Sequence, residues 1–383
     1  MPSVNDLVDV AESLDKRRVV VLQDSCVAVR NRNAHCRACV EVCPNDAISV
    51  DRNKIKLTTT HCVDCGLCVA ACPTEAIRAI EPTASQLAQQ LAVVREANDG
   101  VAAVACARMA ARQVADPGRF VEVPCFGRLA AVDLLSPIVD GATGVLLIDG
   151  GCSSCKYGFV SETVDAAVDS ANQVLAAGGL EARVSRVSEF PEAMLVSETE
   201  GVFGSTRRGF LADTMRSARD IAATAADTAI KKELGIGEGD NIGRRLHVSD
   251  EGTLPNIPVP GHESALNALY AIMGEADFQG DASDAGEGGP AIVDLPFFGA
   301  VDIDVNKCNA CGMCAVFCPT SAIKRPPSSD EFSMRSKVLE FSASDCVQCG
   351  LCQDVCWKKS ITLRAPITTD ELFSFEPRIF RLR

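Results

Sequence analysis

The chain has 383 residues and a formal net charge of −14, which is length for two or three domains with a buried core and the wrong sign for nucleic acid, whose binding needs a basic face to displace counterions. Its 20 cysteines exceed the usual complement of a cytosolic enzyme. The opening Met1-Pro2-Ser3-Val4-Asn5-Asp6 lacks the basic-then-apolar pattern of an export signal, so metal ligation outweighs a disulfide scaffold.

Residues 1 to 25 read as a short helix and then a strand over Arg18 to Leu22. Next come Cys26, a nine-residue gap, and Cys36-Arg37-Ala38-Cys39-Val40-Glu41-Val42-Cys43-Pro44. A cleaner run follows: Cys62-Val63-Asp64-Cys65-Gly66-Leu67-Cys68-Val69-Ala70-Ala71-Cys72-Pro73. Three cysteines at intervals of three present three thiolates to one iron-sulfur cube, and the proline after the fourth ends the turn and sends that thiolate to a second cube. By this crossing, Cys26, Cys36, Cys39 and Cys72 hold one 4Fe-4S cube, and Cys43, Cys62, Cys65 and Cys68 the other. If the nine-residue loop cannot fold back, Cys26 is a bystander and its site is a three-iron or labile cluster. Arg30, Arg32, His35 and Arg37 crowd that loop, either as a solvated rim around an anionic cluster or as a docking patch or tuner of potential.

From residue 83 the pattern changes. Residues 84 to 99 read as a helix, and the apolar runs Val101 to Cys106, Phe120 to Cys125 and Gly144 to Ile148 read as buried strands separated by helical segments, predicting a small parallel sheet. Cysteines follow each strand: Cys106, Cys125, and the pair Cys152 and Cys155. Ligands gather beyond the carboxyl ends of parallel strands, so these four thiols could converge on a 2Fe-2S cluster or zinc. The lesser alternative is that Cys106 and Cys125 are ordinary buried thiols.

Residues 191 to 295 read as a helical and linker region. Ser205-Thr206-Arg207-Arg208-Gly209-Phe210-Leu211 copies a twin-arginine export consensus in mid-chain, but no apolar core follows it. An amphipathic helix is expected from about Leu211 to Leu234, then a Pro-rich turn at Pro255 to Pro260 and a short helix. The acidic, glycine-rich run Gly274 to Gly289 reads as a flexible linker.

The last module spans residues 296 to 383. Cys308, Cys311, Cys314 and Cys318 precede Pro319, and Cys346, Cys349, Cys352 and Cys356 precede Trp357. Crossing pairs Cys308, Cys311, Cys314 and Cys356 on one cube and Cys318, Cys346, Cys349 and Cys352 on the other. The tail from Phe373 to Arg383 alternates apolar and basic residues, as a strand packing back or a partner's docking segment.

Both ends, about residues 20 to 80 and 300 to 365, resemble the two-cluster bacterial ferredoxins. The resemblance implies two small pseudo-symmetric α+β ferredoxin-like modules, each with two short hairpins and two helices, around a central α/β domain, with low-potential one-electron chemistry. Residues 99 to 185 resemble the iron-sulfur delta subunit of methyl-viologen-reducing hydrogenases, on Val123-Pro124-Cys125-Phe126-Gly127-Arg128, Gly141 to Ile148, and Cys155-Lys156-Tyr157-Gly158. That family carries a second cysteine where Met109 stands here, and its later pair is spaced more widely. The likeness implies a 2Fe-2S centre and partners such as hydrogenase, formate dehydrogenase or a heterodisulfide-reductase-like complex.

These readings lead to domains at 1–82, 83–190, 191–295 and 296–383 and to a non-catalytic electron-transfer subunit of a hetero-oligomeric complex in an anaerobic cytoplasm. Four 4Fe-4S clusters and one 2Fe-2S cluster are expected. No apolar run reaches the ~18 residues of a membrane span, though docking to a membrane complex stays open. The alternatives are a thiol-disulfide enzyme using Cys152 and Cys155 and an accessory protein of metalloenzyme maturation.

Overall fold

A strand begins the described part of the chain, in the place expected from the apolar run after Arg18. The computed structural model describes residues 18–196, 253–274, 290–327 and 337–382. The expected first helix, the Ser205 to Leu211 motif, the Leu211 to Leu234 helix and the linker after Gly274 lie outside these residues. The described residues up to Leu195 and from Thr253 onward form one unit.

The N-terminal module runs β1 (Val19–Val21), α1 (Val27–Arg30), α2 (Ala38–Glu41), β2 (Ile48–Asp51), β3 (Lys54–Leu57), α3 (Leu67–Ala70) and β4 (Ile77–Ala79). β1 pairs antiparallel with β4, and β2 with β3. Arg52 and Asn53 both take positive φ, 45° and 59°, so the β2–β3 hairpin closes in two left-handed residues, a twist that matches its strands. Val19, Ile48, Ile55 and Ile77 form a small core shared with the cysteines around it.

The middle domain runs α4 (Ala84–Ala97), β5 (Val101–Cys106), β6 (Val121–Val123), α5 (Ala131–Val139), β7 (Gly144–Ile148), α6 (Ser161–Ala177) and β8 (Arg183–Val187). Its sheet is parallel throughout, in the order β6-β5-β7-β8. The fourth strand, Arg-Val-Ser-Arg-Val, escaped the sequence reading because its charged edge positions break the apolar pattern. Thr83 caps α4: its hydroxyl accepts from the Gln86 amide and the Gln86 side chain accepts in return from Thr83. Leu87, Leu91 and Val94 then form a buried stripe at helical spacing that joins the sheet's core.

The remainder comprises α7 (Pro260–Leu269), β9 (Ile292–Val293), β10 (Ala300–Ile303), α8 (Met313–Phe317), β11 (Ile323–Lys324), β12 (Val338–Phe341), α9 (Leu351–Asp354), β13 (Ile361–Arg364), β14 (Ile367–Thr368), α10 (Thr369–Phe373) and β15 (Arg378–Arg381). β10 pairs with β13 as β1 does with β4, and β11 with β12 as β2 does with β3. The tail packs back: β15 adds to β12 as a third strand and buries Phe380 and Leu382. The Pro-rich turn before α7 straps this module, with the Leu254 and Ile257 amides donating to the carbonyls of Val316 and Pro319.

Candidate iron-sulfur centres

Each clean cysteine run is shaped by residues that accept a left-handed backbone. The second residue after the first cysteine has positive φ (Asp64 55°, Ala310 57°, Gln348 50°), and so has the glycine after the second cysteine (Gly66 79°, Gly312 75°, Gly350 77°). These reversals wrap the chain so that successive thiols face inward, and glycine takes the second without steric cost. One helical turn follows each glycine: α3, α8 and α9.

The fourth cysteine has its own local device. Asp46, Glu75, Ser321 and Lys359, each three residues beyond a fourth cysteine, all have φ between 49° and 59°. That turn aims the next amide back at the sulfur: Ala47 N–H donates to Cys43 Sγ at 3.2 Å, Ala76 to Cys72 at 3.1 Å and Ser360 to Cys356 at 3.4 Å. The last holds although Trp357 stands where the other three runs have proline, because the turn is made by Lys359.

The thiols gather into five groups of four. Cys26, Cys36, Cys39 and Cys72 line one cavity, and Cys43, Cys62, Cys65 and Cys68 another. Cys308, Cys311 and Cys356 surround Cys314, while Cys318, Cys346 and Cys349 surround Cys352. In the middle domain Cys106 neighbours Cys155, and Cys125 and Cys152 complete that group. The nine-residue loop does fold back: α1 occupies its first turn, and Cys26 is buried beside Cys36 and Cys72.

All twenty cysteines are free thiols. Burial pushes Cys39, Cys68, Cys314 and Cys346 up to about 12 and Cys125 and Cys152 up to about 11, with neighbouring sulfurs or carboxylates adding to the rise. Burial acts the same way on Cys356, but the hydroxyl and amide of Ser360 outweigh it and hold that thiol below its ordinary value. Thiols this reluctant to ionise alone become thiolates when a cation shares their pocket. Among the described residues no three His, Cys, Asp or Glu converge tightly enough to hold one metal ion. Four thiols lining one pocket are the ligand set of an iron-sulfur cluster.

Asp149, which the sequence reading missed, organises the middle group. It is buried at the end of β7, its Oδ1 accepts from the Gly151 amide at 2.7 Å, and Arg186 grips Oδ2 through Nε and Nη2 at 2.8 and 2.5 Å. The Gly150-Gly151 turn, φ 66° and 75°, then delivers Cys152 beside Cys106 and Cys125. The available signal was an acidic residue followed by two glycines at a strand's carboxyl end.

Three stretches of the chain match known families. Residues 32–76 and 307–360 match the 4Fe-4S dicluster domain, and residues 93–198 match the methyl-viologen-reducing hydrogenase delta subunit. The two ends are 4Fe-4S dicluster domains. The first dicluster match begins after Cys26, whose distance from Cys36 departs from the regular run. The delta-subunit match covers all four middle cysteines and lies between the two dicluster domains. No curated protein matches the chain. Among the described residues no helix is long and apolar enough to cross a membrane.

Proposed function

We propose that this chain is the electron-relay subunit of a hetero-oligomeric redox complex, carrying single electrons through four 4Fe-4S cubes and one 2Fe-2S centre. Each of the twenty cysteines is an iron ligand in this reading, four to a group as gathered above. The observation that carries it is the order of the groups. Cys314 lies within electrostatic reach of Cys352, Cys349 of Cys36, Cys68 of Cys39, and Cys125 of Cys65. These four junctions join all five groups into one series from Cys308 to the middle domain, with no group isolated. When loaded, iron-sulfur clusters supply one-electron redox chemistry at low potential. The residues around them exclude water, position the thiols and donate amides to sulfur, all of which influence potential.

The middle domain is the natural end for a catalytic partner, since its family belongs to a hydrogenase complex. A ferredoxin-like fold for each dicluster domain and an anaerobic cytoplasmic setting accompany this reading. The thiol-disulfide alternative has less support. Cys152 is buried in the four-thiol group beside Cys106 and Cys125, and burial with the Asp149 carboxylate raises its pKa, which disfavours it as the attacking member of that pair. Anaerobic iron and sulfide analysis with low-temperature EPR tests the relay: about eighteen iron atoms per chain, sixteen in cubes and two in the 2Fe-2S centre, are expected. A colourless, metal-poor protein after reconstitution overturns it.

A further inference from the structure

Three basic residues lie in the loop between Cys26 and Cys36 and a fourth, Arg37, directly after it, and the fold separates them. Arg32, His35 and Arg37 are exposed, whereas Arg30 is only 8% exposed. Arg30 ends α1 in the N-terminal dicluster domain, yet its guanidinium reaches into the C-terminal one. Nε donates to the carbonyl of Phe317 at 3.0 Å, Nη1 to that of Pro255 at 2.8 Å and Nη2 to that of Cys318 at 3.2 Å.

Three carbonyls give each guanidinium nitrogen a partner but leave the net charge uncompensated, and a buried cation without a counter-charge is strongly disfavoured. No carboxylate pairs with Arg30 among the described residues; the ionisable groups it interacts with are Cys318 and Cys349. Both belong to one four-thiol group. A 2+ cube held by four thiolates carries about −2, and one-electron reduction makes it about −3. Arg30 also stands at the junction of the two dicluster domains, where Cys36 and Cys349 pack against Val27, Leu351 and Val355.

We infer that Arg30 is the fixed counter-charge of the centre held by Cys318, Cys346, Cys349 and Cys352, raising its reduction potential so that an electron crossing between the two dicluster domains rests there. This rests on the relay reading, in which those cysteines ligate a cube. A positive charge favours the more negative, reduced state, and the interaction is strong because the guanidinium is withdrawn from water. No bond is made or broken: one electron arrives from a neighbouring centre and leaves to the next.

The test is an EPR-monitored redox titration of the anaerobic holoprotein and of Arg30→Gln, which keeps donors but loses charge, and Arg30→Lys, which keeps charge but loses the fork. The signal abolished by Cys349→Ala identifies the centre. In Arg30→Gln its reduced-to-oxidised ratio at fixed potential falls about tenfold, a drop of about 59 mV for a one-electron couple, while Arg30→Lys stays close to the parent. An unchanged midpoint in Arg30→Gln, or an equal fall in both variants, overturns the counter-charge. So does loss of the C-terminal centres' iron in both variants, which makes Arg30 a structural clamp. Failure of the parent protein to hold cubes at all is a different result and overturns the relay itself.

Discussion

Gly127 of the middle domain lies so close to Cys65 of the N-terminal dicluster domain that a Cβ on the glycine would stand 2.7 Å from the cysteine's carbonyl oxygen. The contact is reciprocal: a Cβ on Gly66, whose φ is 79°, would strike the backbone and Cβ of Arg128. Two glycines thus let Cys125-Phe126-Gly127-Arg128 lie directly on Cys65-Gly66-Leu67, bringing Cys125 within reach of Cys65. Gly127→Ala should cost about 1–3 kcal/mol, the usual cost of overpacking, and should slow reduction of the middle centre by electrons entering at the dicluster domains. Thermal melting and freeze-quench EPR check the two effects, and an unchanged melting temperature with unchanged kinetics would count against the seam.

The second junction has an asymmetric surface tie. Asp354 accepts from the backbone amide of His35 at 2.7 Å and lies 2.9 Å from His35 Nδ1; the His35 side chain is 77% exposed and that of Asp354 19%. His35→Ala removes only the exposed contact and should cost well under about 1 kcal/mol. Asp354→Ala also removes that surface amide bond and should cost about 1 kcal/mol. Denaturant midpoints of the two variants separate the contributions, and equal losses would show that the backbone bond contributes nothing.

His262 carries a pH dependence. Its ring stacks on Phe298 with centroids 4.7 Å apart and Nε2 lies 2.9 Å from the Ser344 carbonyl. Burial lowers its pKa, opposed by that carbonyl and by Asp345 and Glu263. Because the folded value lies below the unfolded one, near 6.5, the unfolded chain binds more protons as the pH drops. Stability is therefore full above about pH 6.5 and declines as pH falls through the folded value. Melting at about pH 7.5 and about pH 5.5 should show a larger acid loss in the parent than in His262→Gln; equal losses would exclude His262 as the titrating group.

Iron counting tests the two irregular ligand assignments. Cys26→Ser should lose about four iron atoms or convert one cube to a three-iron cluster with its own EPR signature. Cys155→Ser should lose about two and leave the cubes intact. Full iron with an unaltered spectrum in either variant removes that cysteine from the ligand set.

The sequence alone determined what is local. The spacing of the cysteines predicted that each run wraps around a shared centre, whereas the positive-φ residues that turn each run, rather than the proline the sequence reading credited, showed themselves only in the structure. The crossing of each fourth cysteine to the other group was legible from the same spacing. Unbroken apolar stretches from Val101 and Gly144 marked the parallel strands, although the charged Arg183–Val187 strand did not show itself. Tertiary structure decided the long-range meetings that no motif encodes. It sorted buried Arg30 from its exposed neighbours in the same loop, seated Asp149 beneath the Cys152 turn, and put Gly127 against Cys65. Spacing carries no information about such meetings, since burial and long-range contact arise only when whole modules pack against one another.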